Sequence, residues 1–376
     1  MKILYVLDFF YPYSGGVPTM FLNLATEMAK RGHDVTVFTS ESGSNRKFEH
    51  FQGIKIYRFG KNRISFLLSS LFHILFLREK FDVVHTSTYS SIIPAYLYTR
   101  LNKVPKVLIV HEVWPLKLWI EISKMFGVIY FLLERALLQF PFDFVICPSM
   151  FTKEELVKAG IRKDRIGVVY HAVDRKLFSP RVKRYRKEIR ELLKVNDKTI
   201  VVTWTGKPVI FKGVHYLLKS IPKIVKEINN IKFVLVVSKD PKHLYNSLVK
   251  TIMSRKVLRD NTILIQPTKE HMFIAKLIGA SDIIVIPSLT FSGFFAAETA
   301  SIGTPMIATP VGGLPEIISN KEAAFIKLRD ENELSAAIIK LAKSRSLMAK
   351  LGKGKKFKTW KEKSKEYERL YQKIIK

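Results

Sequence analysis

Within residues 287 to 318, PSLTFSGFFAAETASIGTPMIATPVGGLPEII, two lone carboxylates, Glu298 and Glu316, stand in an apolar surround beside closely spaced glycines. A carboxylate in such a place can accept hydrogen bonds from a vicinal diol, the role acidic residues play toward the ribose of a bound nucleotide. Upstream, TGKPVIFKGVHYLL at 205 to 218 sets Gly206 and Lys207 after an apolar run, and Lys212 just before a helix-period segment. Two cations converging on one loop would suit a diphosphate, because charge developing on a leaving phosphate needs fixed donors. Gly293 begins a segment of good helix formers, so backbone N–H groups there can face a phosphate, with Glu298 more than one turn further along. In the first half, Gly15 and Gly16 of SGGV (14 to 17) could bring the backbone close to an anion. His111, closing KVLIVHE, and His85 in VVHTSTY could donate a hydrogen bond or carry a proton. Each feature has an ordinary alternative: a tight turn, solvated lysines, a helix carboxylate, a strand-end histidine.

What gives the set its weight is the kind of element that must position it. Short β-branched runs alternate with helix-period segments from end to end, the signature of parallel sheets with crossover helices. KILYVLD (2 to 8), a helix over 17 to 32 and DVTVFTS (34 to 40) form a first βαβ unit, and IKIYRF, DVVHTS, KVLIVHE, FVICPS and IGVVYHA continue the strands. After a basic stretch around 175 to 197 the pattern restarts with TIVVTWTG, KFVLVVSK, TILIQP, DIIVIPS, PMIATP and AAFIKL. The fold class expected is α/β, with two doubly wound Rossmann-like domains, residues 1 to 180 and 181 to 354, and a helix over 355 to 376. In such sheets ligands gather beyond the carboxyl ends of the strands, where all of these residues fall.

Composition narrows the function classes. At 376 residues and 47% hydrophobic, the chain is folded and too long for a single core. The single Cys147 makes no internal disulfide, and no Cys/His spacing of a structural zinc site occurs, which suits a reducing compartment, with the cytoplasm as the default. The first strand runs on into YPYSGG without a cleavage signal, so no signal peptide is expected. A net charge of +31 predicts an anionic partner: a membrane face, a phosphorylated substrate or nucleic acid. The runs RVKRYRKEIRELLK (181 to 194) and KGKKFKTWKEKSK (353 to 365) read as solvated helix faces, and without aromatic-interleaved basic motifs no nucleic acid is expected. The absence of D-x-D, H-E-x-x-H, G-x-S-x-G and a full P-loop counts against metal-assisted nucleotide chemistry and serine hydrolysis.

Taken together, SGGV with MAKRGHDVTVFT, HE at 111, PS at 148, VVYHAVDRKLF, TGK with FKG, and the 287 to 318 block resemble the group 1 nucleotide-sugar glycosyltransferases, family four, of GT-B fold. The resemblance covers nearly the whole chain. It implies two domains facing across a cleft, a final helix that crosses back to the first, and a nucleotide-diphosphate sugar as donor substrate with no cofactor. It also implies hexosyl transfer with retention, without a required metal, to a glycan or lipid-linked acceptor. By position it assigns Lys207 and Lys212 to the donor diphosphate, Glu298 to the ribose, Gly15 and Gly16 to the loop near phosphate and acceptor, and His111 to the donor sugar. His111, Lys207 and Lys212 are thereby the candidate catalytic residues; Gly206, Thr290, Ser292, Gly293 and Phe294 join the donor-binding set. Thr290 stands where the family carries its first Glu, and a hydroxyl cannot supply that charge. A catalytically degenerate domain that binds nucleotide sugar, and a GT-B-fold epimerase, are the alternatives.

Two aromatic-rich segments, ISFLLSSLFHILFLREKF from 64 and VWPLKLWIEISKMFGVIYFLLERALLQFPF (113 to 142), carry interspersed basic residues. They are either buried crossover helices or a peripheral contact with an anionic membrane at the inner face of the cell, and the latter is the expectation.

Overall fold

The runs KILYVL, DVTVFT and VVHT are buried at nearly every successive position, which requires both faces of the sheet to be covered. The computed structural model describes residues 1–13, 15–267 and 271–375, and covers the strands with helices in two compact units. The first is Met1–Tyr170 with Lys358–Lys376, the second His171–Phe357. Ser14 of the SGGV motif lies outside the described residues.

The first unit runs β1 (Lys2–Leu7), α1 (Gly16–Lys30), β2 (Asp34–Thr39), β3 (Phe48–Phe51), β4 (Ile54–Arg58), α2 (Arg63–Phe76) and β5 (Val83–Thr86). It continues with α3 (Ile92–Asn102), β6 (Lys106–Ile109), α4 (Leu116–Ser123), α5 (Gly127–Leu138), β7 (Phe144–Cys147), α6 (Met150–Lys158) and β8 (Ile166–Val168). The sheet order is β3-β4-β2-β1-β5-β6-β7-β8, and β1 pairs in parallel with both β2 and β5. β3, absent from the sequence reading, is four residues of half-polar edge strand antiparallel to β4. The strand predicted over IGVVYHA stops at Val168, short of the polar YHA.

The second unit holds α7 (Arg186–Leu192), β9 (Ile200–Gly206), α8 (Val214–Glu227), β10 (Ile231–Val237), α9 (Lys242–Met253), α10 (Lys256–Asn261) and β11 (Thr262–Ile265). It goes on through α11 (His271–Ala280), β12 (Ile283–Ile286), α12 (Gly293–Ile302), β13 (Met306–Ala308), α13 (Leu314–Ile317), β14 (Ala323–Phe325), α14 (Glu331–Ala342) and α15 (Arg345–Leu351). Its sheet, β11-β10-β9-β12-β13-β14, is parallel throughout. The basic run 181 to 194 is not a solvated face along its whole length. Arg190 is buried, bonding the carbonyls of Ala280 and Thr199 and pairing with Asp282 at 3.2 Å, while Arg186 reaches the same carboxylate at 2.7 Å. Asp282 also accepts from the Val201 N–H at 2.8 Å, so it neutralises the guanidinium and fixes the start of β9.

The final helix, α16 (Trp360–Ile375), belongs to the first unit. Its apolar face carries Tyr367 and Tyr371, both buried, over the sheet face that presents Tyr5 and His85. The Tyr371 hydroxyl shares a hydrogen bond with His85 Nδ1 at 2.6 Å and lies 3.5 Å from the Tyr5 hydroxyl. Burial, with the nearby His111 adding to it, pushes the His85 imidazole down to about 3, so it is neutral and structural. Glu368 on the same helix pairs with Arg31 and with His33 at 2.8 Å. Tyr371→Phe leaves a buried imidazole without this partner. It should lower stability by about 1–2 kcal/mol in urea unfolding; an unchanged midpoint would show that the helix is held by packing alone.

Candidate functional site

Doubly wound sheets gather ligands where the strand order reverses. In the second unit that point lies between β9 and β12, since β10 extends the sheet from one side of β9 and β13 from the far side of β12. The loops that follow β9 and β12 therefore emerge side by side. Backbone and side-chain bonds staple them together: the Leu289 N–H and the Ser288 hydroxyl both donate to the Phe211 carbonyl, at 2.8 and 2.9 Å. The indole N–H of buried Trp204 donates to the Lys212 carbonyl at 3.1 Å and fixes the same turn from below.

The turn ends at Gly213, whose φ of +73° lies in the left-handed region. A Cβ there would sit 1.8 Å from the Pro287 carbonyl oxygen, so the two loops meet at a distance that only glycine allows. The closure delivers the Lys212 ammonium to the Ser292 hydroxyl, 3.0 Å away, at the residue preceding Gly293 and the first turn of α12. Ser292 makes no side-chain cap to that helix, and the N-terminal turn of α12, the end that favours an anion, begins beside Lys212. Lys207, just past β9, pairs with Asp240 at 2.8 Å, with both side chains well exposed.

Glu298 lies five residues along α12 from Gly293, about 7.5 Å by helical rise. Burial, with the charge of Asp174 adding to it, pushes its carboxyl from the ordinary 4.5 up to about 8. Phe294 stacks on His171, with ring centroids 3.6 Å apart, and Phe291 flanks the same imidazole at 5.6 Å. Thr290 is buried, and its N–H reaches the Ser288 hydroxyl at 3.4 Å. Glu316 is exposed on the short helix α13. The structure thus brings Lys212, Ser292 and Gly293 into one place, with Gly206 at the end of β9 beside Lys212 and with Phe294 and Glu298 on α12, while Lys207 reaches Asp240.

Sequence reasoning passed over His171, Asp174, Trp204 and Ser288. The first two sit in the quoted VVYHAVDRKLF, but nothing local tells that this loop packs against α12.

In the first unit His111 follows β6, and burial pushes its imidazole down to about 4, so it is neutral near pH 7 and can offer hydrogen bonds rather than charge. Gly15 caps the N-terminus of α1 and Gly16 begins it, both exposed. A polar cluster that the sequence did not announce occupies the strand-order reversal between β1 and β5. Asp8 accepts from the Ser90 hydroxyl at 2.7 Å and meets Arg63 at 3.2 Å, and the Arg63 guanidinium lies between the rings of Phe9 and Tyr89. An acidic residue directly after β1 was the available signal.

Comparison with known proteins places these loops in a family. A model described as Glycosyltransferase Family 4 matches residues 14–177, and one described as Glycosyl transferases group 1 matches residues 199–344. A phosphatidylinositol N-acetylglucosaminyltransferase subunit of Homo sapiens is 26% identical over 333 residues, covering 84% of this chain and 63% of its own length, less than two thirds. Among solved structures, the sucrose-phosphate synthase of Thermosynechococcus elongatus superposes with a TM-score of 0.83 at 18% identity, over 100% of this chain and 99% of that one. Anabaena HepE in complex with UDP and glucose superposes with 0.78 at 16% identity, over 99% of each chain. These two show the same GT-B fold.

Proposed function

We propose, of a chain that belongs to the group 1 glycosyltransferases, that it transfers a hexose from a nucleotide-diphosphate sugar to a glycan or lipid-linked acceptor. The observation that carries the donor assignment is the Lys212–Ser292 contact at the uncapped start of α12, at the strand-order reversal of the second unit. An ammonium and a row of helix N–H groups aimed at one point suit a phosphate. The HepE structure, which holds UDP and glucose, supports the same reading by fold.

In this reading the β-phosphate sits against Lys212 and the first turn of α12, with Lys207 at its margin. As the bond from the anomeric carbon to the β-phosphate oxygen breaks, the negative charge on the leaving diphosphate grows, and fixed donors there stabilise the transition state more than the ground state. The acceptor hydroxyl oxygen forms the new bond on the face the diphosphate leaves, with retention, and its proton passes to the departing phosphate. The lysines supply the positive charge, so no metal is required. Glu298 takes the ribose diol, and neutral His111 is suited to hydrogen-bond a sugar hydroxyl.

Calorimetric titration of UDP-, GDP- and ADP-sugars tests the donor site. One donor should bind wild type, and Lys212→Ala should weaken it about thirtyfold through loss of a charge-assisted bond. Binding that survives unchanged in that variant, or no binding of any donor to wild type, would overturn the assignment.

A further inference from the structure

We propose that one face of the first unit docks on an anionic lipid bilayer, through α2 and the hairpin of α4 and α5. The inference goes beyond the donor reading and stands without it.

Both segments lie on the same side of the sheet. A right-handed crossover from β4 to β5 and another from β6 to β7 put α2 and α4–α5 on one face, opposite α1. Shared cores agree: Phe66 and Ile74 of α2 pack with Ala95 and Tyr98 of α3, while Ile92 of α3 packs with Leu137 and Leu138 of α5. α3 therefore sits between the two segments.

α2 is apolar nearly all round, which ordinarily marks a helix buried on every side. Only Phe66, Ser70 and Ile74 are buried. Ile64, Leu68, Phe72, Leu75 and Phe76 form a second stripe at helical spacing, 59 to 73% exposed. The hairpin repeats the pattern. Its tip, Met125 and Phe126, is 82 and 55% exposed, and Ile129 and Leu133 continue outward on α5 while Leu137 and Leu138 face the core. Exposed apolar residues massed in this way, rather than scattered, mark an interaction surface. The buried-crossover alternative accounts for the inner stripes and leaves the outer ones unexplained.

Charge selects the occupant. Arg78 and Lys80 follow α2, which has no acidic residue, and Lys117 and Lys124 lie along the hairpin, outnumbering Glu79 and Glu121 on the same stretches, in a chain of net charge +31. A second copy would bring the same positive surround against itself. An anionic bilayer offers headgroup phosphates to the lysines and arginines and an acyl boundary to the stripes, the arrangement of an interfacial helix. Among the described residues no helix is long and apolar enough to cross a membrane, so the contact is one of lying on the surface.

Sedimentation of the full chain with vesicles of phosphatidylcholine, and of phosphatidylcholine with phosphatidylglycerol, tests this. Binding should be strong only with phosphatidylglycerol and should weaken with added salt. Leu68→Ser with Phe72→Ser, and separately Met125→Ser with Phe126→Ser, should each weaken it about thirtyfold, with melting temperature and nucleotide-sugar binding kept. Leu192→Ser, an equally exposed apolar residue of the second unit, should change nothing. No sedimentation with either vesicle would overturn the proposal. So would a concentration-dependent dimer that the double variants dissociate while vesicle binding persists, which would make this face a contact between copies.

Discussion

Gly213→Ala should abolish measurable nucleotide-sugar binding and lower stability by about 3 kcal/mol or more. Two effects add. An alanine at φ +73° carries the left-handed penalty of roughly 1–2 kcal/mol. The methyl group also falls 1.8 Å from the Pro287 carbonyl oxygen, an overlap with backbone that no rotamer relieves. The loops after β9 and β12 must then part, which removes Lys212 from Ser292, and a shift of about 1 Å at a positioned group is enough to lose a hundredfold. Gly32→Ala separates the effects: Gly32 has φ +83° with nothing within 4 Å of its added Cβ, so that variant should lose only the backbone part and keep full donor affinity. If Gly213→Ala bound donor as wild type does, the stapled loops would not form the phosphate site.

Glu298→Gln should stabilise the protein and weaken the donor, both in a pH-dependent way. In the fold the carboxyl stays protonated up to about 8; in the unfolded chain it ionises near 4.5. Between those values the unfolded state has released a proton that the folded state keeps. Stability from this group is therefore full below about 4.5, falls as pH rises, and levels off above about 8. Water at the partly exposed edge of the side chain screens the effect, so about 2–3 kcal/mol is expected across that window. Glutamine removes the slope: the variant's melting temperature should exceed that of wild type at pH 8 and match it at pH 4.5. Donor binding runs the other way. A ribose diol donates to the ionised carboxylate, so wild-type affinity should rise as pH passes through about 8, and the variant should lack that rise and bind about thirtyfold more weakly above it. A melting-temperature difference that does not change with pH would show that Glu298 is charged in the free protein.

The strand and helix order of both units was legible because parallel strands buried on both faces write themselves as unbroken apolar runs, as in KILYVL and IIVI. The edge strand β3 was not, since FEHF has a half-polar pattern like that of a loop. Lys212, Gly293 and Glu298 could be singled out by their place after predicted strands. The stapling of their loops through Phe211 and Gly213 could not, because it depends on β9 and β12 being neighbours although two strands separate them in sequence. Arg190 misled for a related reason: a basic run reads as solvated until its partner, Asp282, is brought against it from far along the chain. The apolar segments from 64 and from 113 were visible as segments. Which of their stripes face water needed the packing of α3 between them.

The position of α16 bears on how the chain is made. The first unit needs residues from Lys358 onward to cover the sheet face that carries Tyr5 and His85, and the whole second unit is synthesised before them. During translation that aromatic face must therefore stand open for the time the ribosome takes to add the 187 residues from His171 to Phe357, while the second unit, continuous in sequence, can close as soon as it has emerged. The half that appears first is the half that finishes last.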